Sequence, residues 1–169
     1  MTNQETKKVR FIDPPNILRQ KMGYGGVDPL RLQGMEAYID NNIVDFVPHA
    51  EVILARLDLA LKDAQAGTIK GKEAIDKLTD PVMELKASGG MFKYMLVSEI
   101  ANIILNFMEN IDALDDDVFE VIKAHQNTLQ VIIHSQLKGD GGREGAALAQ
   151  ALYEACRRYY KKHKIRPRG

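Results

Sequence analysis

Apolar side chains recur along most of this chain at the three- and four-residue intervals of an α-helix buried on one side. Ala50, Ile53, Leu57 and Leu61 form one such face and predict a helix from about Phe46 to Ala66, stopped by Gly67. Asp28-Pro29, an acidic cap with proline in the first turn, starts an earlier helix carrying Leu32, Met35, Ile39 and Ile43. Thr68 reads as the cap of the next helix, with Ile69, Ala74, Ile75 and Leu78 along it. Asp80-Pro81 repeats the cap-and-proline signal, so a kink or restart is expected there, and Ser88-Gly89-Gly90 closes the segment.

The stretch from Met91 to about Asn110 is nearly all apolar, with Glu99, Asn102, Asn106 and Glu109 falling on one narrow stripe. A helix so patterned is expected at the centre of a bundle. Asp115-Asp116-Asp117 places acidic groups at the positive end of a further helix, expected to run to about Lys138. Gly139-Asp140-Gly141-Gly142 is a tight turn, and a last helix follows from about Arg143 to His163. The pattern therefore predicts an all-α, antiparallel bundle of about six helices over residues 28–164. Residues 1–27 read as an irregular arm: Val9 to Ile12 form a short strand or lie extended, and Asp13-Pro14-Pro15-Asn16 prevents regular structure. Phe11, Ile12, Ile17, Leu18 and Met22 suit an arm that docks, and residues 165–169 form a short basic tail.

Composition narrows the function. The chain has 169 residues, with 23 Lys and Arg balanced by 23 Asp and Glu. That zero net charge argues against a dedicated nucleic-acid binder. The single cysteine, Cys156, excludes an intrachain disulfide and a cysteine-built zinc site. No paired Glu-x-x-His supports a carboxylate-bridged metal centre, so neither metal nor cofactor is expected. The first residues lack the apolar run of a secretory signal, and no apolar stretch is long enough to span a bilayer. The expectation is a cytoplasmic protein without nucleic-acid or membrane partners.

Among the four histidines, His49 reads as surface and His163 as part of the basic end. His125 shares a face with Val118, Ile122, Leu129 and Ile132 and reads as a satisfied core residue, as does Cys156 beside Leu152 and Tyr159. His134 differs, because its neighbours at helical spacing are Lys123, Asn127, Gln130 and Lys138. An exposed neutral imidazole is a good nucleophile near pH 7, and a nearby ammonium offsets a phosphate's charge. His134 is thus the candidate phosphoacceptor, and Gln130, His134, Ser135, Lys138, Gly139 and Gly142 form the candidate partner-binding surface.

The run from Leu137-Lys138-Gly139 through Gly142 and Gly145 to Leu148 resembles the motif of histidine-containing phosphotransfer domains, His-x-Leu-Lys-Gly followed by two spaced glycines. The resemblance implies an all-α phosphorelay fold and a signalling protein of the two-component or chemotaxis kind, docking on a response-regulator receiver domain. Lys138 would neighbour the phosphate, and Gly139 would be the small residue beneath the acceptor. In that register the acceptor position holds Ser135, and His134 stands one residue early. One residue is about 100° of helix, so the expected behaviour is binding without efficient phosphotransfer.

Two rival readings come from other classes. Glu99 and Asn102 share a helix face and resemble the Glu-x-x-Asn of one class of chemotaxis phosphatases, implying a catalytic pair acting on a receiver's aspartyl phosphate. A structural subunit, its arm docked on a second copy in a homo-oligomer, needs no exposed chemistry. Finally, if the last two helices form a hairpin closed at Gly139–Gly142, Asp117 is expected level with Lys164, and Glu120 with Lys161. The basic run then pairs within the fold.

Overall fold

The computed structural model describes residues 45–167, together with Pro29, Leu30, Gln33 and Gly34. The chain divides into two compact units, Met1–Val44 and Asp45–Gly169. In the first unit, Pro29, Leu30, Gln33 and Gly34 are helical, in keeping with a helix begun at Asp28-Pro29. The arm, its strand-or-extended segment and the apolar face through Leu32, Met35, Ile39 and Ile43 lie outside the described residues.

The second unit is all-helical: α1 (Phe46–Gln65), α2 (Gly71–Met91), α3 (Met95–Met108), α4 (Asp116–His134) and α5 (Gly142–His163). Helices α1 to α4 form an antiparallel ring, each packed on the next and α4 closing on α1, while α5 lies against α3 and α4. The all-α bundle predicted from periodicity is the architecture found. Helix α3 is its centre, burying Leu96, Val97, Ile100, Ala101, Ile104, Leu105, Phe107 and Met108. Its polar stripe faces outward, with Glu99, Asn106 and Glu109 exposed and Asn102 half-buried.

Caps explain the starts of α1 and α4. Asp45 accepts from the Val47 amide at 3.0 Å, and Asp115 from the Val118 amide at 2.8 Å, each satisfying a donor that a helix leaves free. Thr68 is not a cap. Its amide donates to the Asp63 carbonyl at 2.9 Å, so it closes α1, and Lys70 precedes α2 instead. Pro81 does not restart α2, which runs through it with the proline ring buried against the core. Gly89-Gly90 does not end that helix either. A Cβ on Gly89 would stand 3.2 Å from Ser98 N, Tyr94 O and Val97 Cγ1, so this glycine lets α2 and α3 cross closely. The turn comes after it, at Phe92–Tyr94, where Lys93 takes a left-handed φ of 65°.

The α4–α5 hairpin is present with His125 level with Cys156, as the expected register requires, but its open end pairs one to two residues away from expectation. Asp117 meets Lys162 at 2.5 Å and His163 Nε2 at 2.9 Å, rather than Lys164. Lys164 has left the helix with a left-handed backbone, so the last true helical turn faces α4's start. Glu120 and Lys161 form no ion pair among the described residues. No helix is long and apolar enough to cross a membrane among the described residues.

Candidate functional site

Helix α4 carries the chemistry, and its two histidines are placed in opposite surroundings. His125 is 0 % exposed, with Nδ1 2.8 Å from the Val121 carbonyl oxygen. Its Nε2 lies 3.9 Å from Cys156 Sγ, which is itself buried. Burial holds the imidazole below its ordinary pKa and pushes the Cys156 thiol up to about 12. A thiol held neutral is not a nucleophile. The two groups form a buried internal pair, as their apolar faces led one to expect.

His134 ends α4 with a side chain 48 % exposed, and its Nε2 sits 3.2 Å from Glu51 Oε1 of α1. This pair closes one end of a groove of about 310 Å³ between α1 and α4. Glu51 and Asp58 line one wall; Gln126, Gln130 and His134 line the other. The Gln126 amide reaches Asp58 at 3.5 Å, and a Lys62 ammonium 2.6 Å away holds the Asp58 carboxyl below its usual range. The site is therefore a row of carboxylates and amides headed by an imidazole. Its carboxylate wall comes from α1, which the sequence pattern did not single out. The only signal available was Glu51 and Asp58 on a polar face of α1, and such faces are usually just solvated.

The structure separates the other motif residues from a common helical face. Helix α4 stops at His134 instead of continuing to Lys138, with Ser135 as its cap. Gln136 turns left-handed at φ 51°, and Leu137 and Lys138 are outside helix. The loop ends α4 early because it is tied elsewhere: the Gly139 amide donates to Lys93 O at 2.7 Å, and Gly139 O accepts from Leu96 N at 2.9 Å. The glycines have structural work at this junction. Gly139, Gly141 and Gly142 all take positive φ, and a Cβ on Gly145 would stand 2.2 Å from the Asp140 carbonyl oxygen. The start of α5 can seat over Leu96 only because Gly141 and Gly145 carry no side chain, whereas Gly139 and Gly142 face open space and suit glycine through their positive φ alone. Gln130, His134, Ser135 and Lys138 nevertheless remain exposed near this end of the bundle.

Asn102 lines a groove of about 660 Å³ between α3 and α5, and Glu99 is not among its lining residues. A third cluster, Asp115, Asp117 and His163, was missed because His163 sits in a basic sequence end. Its ring stacks on Tyr159 with centroids 4.2 Å apart, and Lys162 and the Tyr159 hydroxyl already hold the two carboxylates. Lys162 and His163 keep the Asp117 carboxyl below its usual range. These contacts fasten the end of α5 to the start of α4.

No protein-family model, no curated protein and no solved structure matches this chain.

Proposed function

We propose that this protein is a signalling module that binds a response-regulator-type receiver domain without taking its phosphoryl group. It docks through the α1/α4 groove and the adjoining loop at Ser135 to Gly142, and it works in the cytoplasm. The observation that carries this reading is the His134–Glu51 pair, 3.2 Å apart at an exposed helix end. A row of amide, imidazole and carboxylate groups on two rigid helices suits polar recognition of a protein surface. The same pair speaks against phosphotransfer. A carboxylate at Nε2 takes up that nitrogen's proton or lone-pair direction, and its negative charge repels an incoming phosphate. Lys138 lies off the His134 helix, so it does not stand one turn away to offset that repulsion.

The test is titration of the protein against candidate receiver domains, with radiolabel followed from the phosphorylated receivers. Glu51→Arg and Lys138→Glu should each weaken binding at least fivefold. His134→Gln should leave affinity within about twofold, because Gln still donates to Glu51, and no label should reach either protein. Labelled protein that disappears on His134→Gln would replace this reading with true phosphotransfer. Unchanged affinity in both Glu51→Arg and Lys138→Glu would remove this face as the interface.

A further inference from the structure

The α3/α5 groove shares no lining residue with the α1/α4 groove and has no part in the reading above. At about 660 Å³ it is within the range of ligand clefts. Its floor and walls mix three kinds of group. Asn102 and Asn106 stand one turn apart on α3, and their side-chain amides make no hydrogen bond to other described residues. Tyr153 and Tyr160 supply aromatic surface from α5. Two opposite charges border it, but they are not equivalent. Arg157 is held by Glu154 at 2.9 Å, whereas Glu109 forms no ion pair among the described residues and is exposed.

The segment that follows α5 is already at this groove. After His163 the backbone turns at Lys164, the Ile165 amide donates to Tyr160 O at 3.0 Å, and Ile165 packs against the core. The non-helical segment then brings Pro167 to the rim, with Arg166 beside it. A non-helical segment bearing Pro167, with Arg166 next to it in sequence, is thus what this groove meets in cis.

We propose that the α3/α5 groove is a binding site for an extended, basic, proline-containing segment of a partner protein, and that the Arg166-Pro167 segment is its internal competitor. A side-chain amide offers one acceptor and paired donors, matching a peptide unit. Asn102 and Asn106 are about 6.0 Å apart along the helix, and alternate peptide units of an extended chain are about 6.2–6.8 Å apart. Proline rings dock on aromatic walls at low entropic cost. Glu109 attracts the basic side chains, and Arg157, already paired, does not repel them strongly. A tethered tail competes at high effective concentration, so it lowers the apparent affinity of any partner segment.

The probe is a fluorescein-labelled peptide with the sequence of residues 164–169, read by fluorescence anisotropy. The chain lacking residues 166–169 should bind it saturably, and the full chain at least threefold more weakly. In the shortened chain, Glu109→Lys and Asn106→Ala should each weaken binding at least fivefold with unchanged circular dichroism; both positions are exposed. Methylating the peptide's backbone nitrogens should weaken it at least tenfold. Amide chemical shifts should move around Asn102, Asn106 and Tyr153, not around Gln130 and His134. Absence of saturable binding to the shortened chain would overturn the proposal. Equal binding of the methylated peptide, or shifts confined to the His134 groove, would overturn it too.

Discussion

His125 and His134 stand on one helix, and they show how location decides what an imidazole can do. His125 looks inward. Its two nitrogens are spent on the Val121 carbonyl and the Cys156 sulfur, and burial keeps the ring neutral. His134 is at the end of the same helix, half-exposed, facing a carboxylate from another helix across an open groove. The residue type is identical. The first completes a core and the second presents a polar surface, because helix rotation and helix length set their surroundings.

The largest expected contrast is in stability. Leu129, beside His125 on the inner face, is fully buried, whereas its neighbour Gln130 lines the groove. Leu129→Ala should cost about 2–5 kcal/mol, and Gln130→Ala should stay within about 0.5 kcal/mol, by urea denaturation. Equal losses would mean that α4 does not have an inner and an outer side.

Acid separates the two regions next. The unfolded chain takes up a proton at the ordinary imidazole value of 6.5, while the folded chain holds His125 neutral to lower pH. The unfolded state therefore binds more protons, and stability should start to fall as pH drops below about 6.5. His125→Leu should flatten that part of the profile. The exposed Asp117 behaves differently: its lowered pKa contributes stability above the usual carboxylate value of 3.8, lost only as pH falls through the folded value. A profile flat from pH 6.5 to 4 in the parent chain would contradict the buried neutral imidazole.

Reactivity gives a third contrast. With its thiol raised to about 12 and buried, Cys156 should react with a disulfide reagent at pH 8 only at the rate of unfolding. Cys156 lines the α3/α5 groove, so fast labelling of the native protein would show that the groove admits the reagent to its sulfur. The smallest expected effect belongs to the outer histidine, where His134→Gln should change stability by no more than about 0.5 kcal/mol.

Much of the bundle was readable from the chain itself. The three- and four-residue spacing of apolar positions located α1 and α5 closely and α3 apart from its start, which lies at Met95 rather than Met91, and the stripe of Glu99, Asn102, Asn106 and Glu109 marked α3 as central. His125 and Cys156 were legible as core because their neighbours on the helix are apolar. Helix ends were less so. Gly89 and Pro81 look like breakers in one dimension, but Gly89 serves a close crossing and Pro81 is packed in the core. The candidate site was legible on one side only. His134 and Gln130 stood out, while Glu51 and Asp58, far away in sequence, could not be joined to them.

Periodicity, caps and composition are local properties, and they determined by themselves that this chain makes helices, which faces are buried and which histidine lies inside. Tertiary structure decided what meets those faces. Glu51 reaches His134 because α4 closes on α1, Lys162 and His163 reach Asp117 because α5 folds back, and α4 stops short of Lys138 because Gly139 is bonded to the α2–α3 turn. Each of these depends on contacts between segments distant along the chain, whose cost in chain entropy is met by burial of the whole core rather than by any local preference.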